Sequence, residues 1–151
     1  MSKEIIALQG LPASGKSTKA KELYMTSNNS IRINRDLLRE MLNFKEYSPE
    51  NERMIKNIEI SIAEYYLEQD YTVIIDDTNL SAGALKMWQE VSEKWDCPRH
   101  LIPIKTSLKK CIKRDKKRKN SVGEKAIKKM AKNAVWGEDL KKVEVICEEE
   151  K

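Results

Sequence analysis

Histidine occurs once in the 151 residues, at His100, so no multi-histidine metal site can be assembled. Cysteine is scarce and odd in number: Cys97, Cys111 and Cys147 include no Cys-x-x-Cys pair. That argues against a disulfide framework or a zinc knuckle and suits a reducing cytoplasm. No apolar run approaches the roughly 18 residues of a membrane span. Met1-Ser2-Lys3-Glu4 leads straight into a short apolar run, without the layout of a signal peptide. We therefore expect a cytoplasmic chain with no membrane partner.

The length is that of about one domain, and we expect one over residues 1–151. The net charge of +5 is unevenly placed. Residues 105–132 hold 13 Lys and Arg against 2 Asp and Glu, a net +11, which leaves −6 for the rest. Such a segment usually meets an anion such as phosphate, nucleic acid or acidic lipid. Of the aromatic residues only Trp136 lies near it, so no stacking stripe for an extended single strand accompanies the charge.

Short apolar runs at 4–9, 30–34, 72–76 and 100–104 read as strands, with a plausible fifth at 143–147. Amphipathic stretches between them read as helices: 16–26 with Ala20, Leu23 and Tyr24 inward, and a short one from Asp36. Ser48-Pro49 opens a third, whose stripe is Met54, Ile55, Ile58, Ile62, Tyr65 and Tyr66. Ser81 caps a fourth, with Leu85, Trp88, Val91 and Trp95 inward. The basic segment reads as helix, break near 120–123, helix. Pro103 restricts its strand to an end or an edge position. The alternation predicts an α/β fold: a mostly parallel sheet of about five strands with helices on both faces.

Gly10-Leu11-Pro12-Ala13-Ser14-Gly15-Lys16-Ser17 matches G-x-x-x-x-G-K-[ST], and Thr18 follows. The preceding strand and following helix are what its mechanics require. Glycines let the backbone turn its N–H groups onto phosphate oxygens, and the helix start adds partial positive charge. Lys16 is expected at the β- and γ-phosphates and Ser17 on Mg²⁺. The expected cofactors are ATP or another nucleoside triphosphate, with Mg²⁺.

Three further segments each admit two readings. Asp36, with Arg39 one turn on, is a general base beside an acceptor-holding cation, or a helix cap with a surface charge. Asp76-Asp77-Thr78-Asn79 is a Walker-B-like strand end, or a capping loop. Arg114 and Arg118, four apart on one helical face, belong to a lid over the triphosphate, or to a solvated helix.

Together these residues resemble the 5′-hydroxyl polynucleotide kinase domain of the phage-type end-healing enzymes. The resemblance spans Ile5 to about Met130. It is carried by the loop at 10–18, Asn34-Arg35-Asp36-x-x-Arg39, Asp76-Asp77-Thr78-Asn79-Leu80, and Lys113-Arg114-Asp115-x-x-Arg118 with Val122 after it. It implies a P-loop kinase fold with a basic helical lid at about 105–132. It implies Asp36 as general base, Arg39 on the acceptor, Lys16 and Arg118 on the transferring phosphoryl, and Asp77 holding Arg39. Thr78, Asn79 and Val122 are implied near the 5′-terminal nucleotide of a 5′-OH DNA or RNA partner. Gly123 departs from the pattern, which has proline there, and Asp76 is a carboxylate without an assigned role. The residues alone also admit a P-loop kinase of a small acceptor, and a nucleic-acid-binding module that transfers nothing.

Overall fold

The computed structural model describes residues 3–42 and 46–137. Its four strands are β1 (Glu4–Gln9), β2 (Ser30–Ile33), β3 (Thr72–Ile75) and β4 (Arg99–Pro103), all parallel, in the order β2-β3-β1-β4. The proposed strand at 143–147 lies outside the described residues. Period-2 alternation sorts the strand side chains onto two faces. Ile5, Ala7, Val73, Ile75 and Leu101 lie in one core cluster with residues of α3 (Pro49–Glu68) and α4 (Ala82–Lys94). Leu8, Ile74 and Ile102 join Ala20 of α1 (Lys16–Thr26) in another. The sheet is thus covered on both faces, as the near-continuous apolar strands require.

The helix starts follow capping chemistry. Ser48, Ser81 and Ser107 each accept a backbone N–H three residues on, and Asn34 does so at the start of α2 (Arg35–Met41). Taking Asn34 as the cap moves the start of α2 one residue earlier than expected. β4 is likewise shifted by one residue, and Pro103 sits at both a strand end and an edge. Two expected stripes need correction. Tyr24 is exposed rather than inward. On α3 the buried row is Ile55, Glu59, Ala63 and Leu67, while Met54 and Tyr65 face outward. Glu59 is fully buried in that row.

The basic segment forms α5 (Leu108–Lys116) and α6 (Glu124–Asn133). Cys111, Ile112 and Ile127 seat them on Leu11 and Leu80. The link between them closes on Asp115, whose two carboxylate oxygens accept the Val122 and Gly123 N–H groups at 2.9 Å each. Gly123 has φ +101. Proline is fixed near −65° and has no N–H, so it could supply neither this conformation nor this donor. The Val122 N–H foremost, then that of Gly123, holds the Asp115 carboxyl below the usual carboxylate range. Its contribution is therefore present at neutral pH and fades as pH falls through the depressed value. Asp115→Ala is expected to cost about 1–2 kcal/mol of stability and to make residues 117–123 the first site of limited proteolysis. An unchanged melting temperature with an unchanged cleavage pattern would refute that role.

Candidate active site

The carboxyl ends of the strands open into one cleft of about 990 Å³, where parallel α/β sheets place ligands. Its floor is the loop between β1 and α1. Ala13 (φ +63) and Gly15 (φ +105) take left-handed conformations, which wind the backbone around a concave center. A Cβ on Gly10 would lie 2.5 Å from Ser14 Oγ and 3.2 Å from the Ile104 carbonyl, so glycine is required there by contact. Gly10 and Leu11 are buried beneath the loop, and Pro12 through Thr18 line the cleft. No side chain caps α1 and its first turn carries no acid, which leaves its N-terminus to an anion.

Lys16 is buried, and its Nζ donates to the Leu11 carbonyl at 2.7 Å. Burial lowers its pKa to about 8, partly opposed by the charge of Asp76. Ser17 Oγ donates to Asp76 Oδ2 at 3.1 Å. The same oxygen accepts Arg32 Nε at 2.8 Å and pairs with Arg32 Nη2 at 2.7 Å. Asp76 Oδ1 is buried with no hydrogen-bond partner among the described residues. Asp76, without a role from sequence, thus joins β3 to the P-loop. Arg32 went unnoticed because β2 read only as an alternating strand.

On the opposite wall α2 presents Asp36 and Arg39. Arg39 Nη1 donates to Asp36 Oδ1 at 2.6 Å, and Arg39 Nε donates to Glu52 Oε2 at 2.9 Å. Arg39 Nη2 also pairs with Glu52. The Asp36 side chain is 78% exposed, so its carboxylate is open to the cleft. The expected Asp77–Arg39 bond is not formed. Asp77 Oδ1 accepts the Arg35 backbone N–H at 2.9 Å, and its Oδ2 lies 3.7 Å from Arg35 Nε. Glu52 takes the place expected of Asp77; it lies 13 residues from Arg39, and no local pattern marks it.

Thr78 and Asn79 line the cleft, but both are bound into the fold. The Thr78 carbonyl accepts the Gly10 N–H at 3.1 Å. The buried Asn79 side chain donates to the Leu8 carbonyl at 2.7 Å, so its amide donor holds the end of β1 instead of reaching a ligand. From α5, Arg114 Nη1 reaches the Ala13 carbonyl at 3.5 Å. Arg114, Arg118 and Val122 line the cleft from the β4 edge of the sheet, Asp36 and Arg39 from the β2 edge. Arg118 does not share the expected helical face with Arg114, because α5 ends at Lys116.

A family model described as an AAA domain (AAA_33) matches residues 5–135. The chain belongs to this AAA domain family. Within it, the chain is a P-loop kinase-type domain with a nucleotide-binding loop. It is 30% identical over 104 residues to the bifunctional polynucleotide phosphatase/kinase of Schizosaccharomyces pombe, covering 69% of this chain and 22% of that protein. It is also 30% identical over 130 residues to the L-seryl-tRNA(Sec) kinase of Methanococcus maripaludis, covering 83% and 50%. Among solved structures, the Pnkp1/Rnl/Hen1 RNA repair complex aligns with a TM-score of 0.76 at 26% identity, covering 87% of this chain and 44% of that one. The chain spans about a fifth to a half of the length of these relatives.

The burial of Lys16 has a consequence for binding. Phosphate oxygens favor its charged form, so a proton must be taken up on binding once the free amine has lost its own. The dissociation constant of a non-hydrolysable ATP analogue should be flat below about pH 7.5, then rise by up to about tenfold per pH unit above pH 8. Lys16→Met should bind weakly with no such limb. A flat wild-type profile from pH 7 to 9.5 in calorimetry would contradict the assignment.

Proposed function

We propose that this domain transfers the γ-phosphoryl of ATP, or another nucleoside triphosphate, to the 5′-hydroxyl end of DNA or RNA. The observation that carries the reading is the exposed Asp36 carboxylate, bridged by Arg39, on the wall facing the Lys16 loop across one cleft. A hydroxyl between the two walls would meet a base on one side and a phosphoryl group on the other. Asp36 takes its proton, and Arg39 orients the acceptor end. Lys16, Arg118 and the loop N–H groups balance charge on the transferring group. Residues 105–132 act as the lid, with Arg114 and Arg118 on the donor phosphates and Val122 toward the acceptor's terminal base.

Mg²⁺ fits the donor set at the loop. Ser17 offers a hydroxyl oriented by Asp76, whose second oxygen is buried and unpartnered, and a hard cation prefers oxygen. Ser17 would hold the ion, which when bound neutralizes charge on the donor phosphates.

The name of the fission-yeast relative supports a polynucleotide acceptor. The match to the seryl-tRNA(Sec) kinase favors a second reading, a non-terminal or small acceptor hydroxyl phosphorylated in the same cleft. A γ-labelled ATP assay against 5′-OH oligonucleotides, aminoacylated tRNA, nucleosides and sugars separates the two. Asp36→Ala should abolish transfer, by at least about 10²-fold, and leave nucleotide binding intact. Near-normal transfer by that variant would remove Asp36 from the base role. Replacing Lys109, Lys116, Lys117 and Lys119, exposed on α5 and the link after it, should raise the KM for an oligonucleotide several-fold and flatten its salt dependence, with little change for ATP. Equal effects on both substrates would point to a small acceptor.

A further inference from the structure

Behind the acceptor wall, two carboxyl groups share one guanidinium. Glu59, in the middle of the buried row of α3, is fully buried. Its Oε2 accepts Arg35 Nε at 2.8 Å. Its Oε1 is buried without a hydrogen-bond partner, and so is Oδ2 of Asp77. Asp77 Oδ2 lies 3.7 Å from the same Arg35 Nε, so the two carboxyl groups meet at one guanidinium nitrogen. Two ionized carboxylates cannot satisfy each other, since neither has a donor. One proton between them resolves both orphan oxygens.

We propose that Glu59 stands in the fold as a neutral acid, donating its proton to Asp77 while accepting from Arg35, and that this bracket fixes the start of α2. Asp77 then carries the one negative charge that matches Arg35, and its Oδ1 holds the Arg35 N–H. Asp36 is the next residue, and Arg39 is one turn further on. Glu59 touches no reacting group and is a positioning residue, acting through Asp77 and Arg35. The charged groups against it are Arg35 of α2 and Asp77 after β3. The neighboring core residues, Ile33 of β2, Ile75 of β3 and Ile55 of its own helix, are apolar. Burial foremost, then the hydrogen bond with Asp77 and that residue's charge, pushes the Glu59 carboxyl up to about 9, against the opposing pull of Arg35.

The bracket makes a thermodynamic prediction independent of the substrate. A folded state that keeps a proton the unfolded chain loses near pH 4.5 becomes less stable as pH rises toward 9. Gln supplies the same acceptor and donor without a proton to lose. The melting temperature of Glu59→Gln, relative to wild type, should therefore climb between pH 5 and pH 9, by about 5 °C or more. Wild type should also show the infrared carbonyl band of a protonated carboxyl at pH 7, which fades toward pH 10 and is missing from Glu59→Gln. If that variant does not fold, the wild-type band alone decides. A pH-independent melting difference, or no such band in wild type at pH 7, overturns the proposal.

The catalytic half rests on the reading under Proposed function. There Glu59→Gln should keep kcat and acceptor KM within about twofold, and Glu59→Ala should impair both at least about tenfold with ATP binding unchanged. A Gln variant as impaired as the Ala variant overturns the positioning role. A wild-type protein that transfers no phosphoryl group overturns the kinase reading instead, and the melting and infrared results then decide the bracket.

Discussion

Residues 76–79 hydrogen-bond to both walls of the cleft at once. Toward β1, the Thr78 carbonyl takes the Gly10 N–H, Asn79 donates to Leu8, and Asp76 accepts Ser17. Toward β2, Asp76 holds Arg32, its carbonyl accepts Asn34 Nδ2 at 2.8 Å, and Asp77 holds the Arg35 N–H. Strand order makes this necessary. β3 lies between β1 and β2, so the phosphate loop and the Asp36 helix share no ladder and are joined chiefly through the segment that follows β3, with Arg32 of β2 reaching Ser17 at 3.4 Å beside it. The spacing between the phosphate loop and the Asp36 helix is thus held largely by the four residues that follow β3. That is the rigidity the proposed transfer requires, since two groups must be held in line.

The same segment concentrates buried charge. Asp76 pairs with Arg32, and Asp77 lies against Arg35. Ion pairs removed from water repay little of their desolvation, so they are poor devices for raw stability. They do fix direction. Two guanidinium nitrogens of Arg32 converging on Asp76 Oδ2 leave that oxygen in one place for Ser17, and the Asp77 oxygen on a backbone N–H sets where α2 begins. Residues that would be costly in an ordinary core are here the ones that locate the chemistry.

The phosphate loop, the alternation of strands and helices, and Asp36, Arg39, Arg114 and Arg118, which the fold brings to one cleft, were legible in the sequence, because each is a local pattern. The partners of those residues were not. Glu52 reaches Arg39, and Arg32 reaches Asp76, only through the tertiary fold, and neither carries a pattern of its own. Glu59 was hidden for a different reason. Hydrophobic periodicity assigns a glutamate to the outer face, so the α3 stripe was rotated toward Met54 and Tyr65, although Ala63 and Leu67 continue the row that Glu59 occupies. Asn79 was legible as a residue but not as a role, since its side chain serves β1.

The basic residues at 105–132 divide into two groups by position. Arg114 on α5 and Arg118, two residues past its end, both line the cleft. Lys116, Lys117 and Lys119 stay in solvent. A segment of net +11 repels itself, so its shape cannot come from its basic side chains. It comes instead from Cys111, Ile112 and Ile127 packed on Leu11 and Leu80, and from the one buried acid, Asp115, that clasps the link. Leu11 belongs to the phosphate loop and Leu80 follows the end of β3, so the apolar seat of the basic helices is built from the two segments that form the donor site.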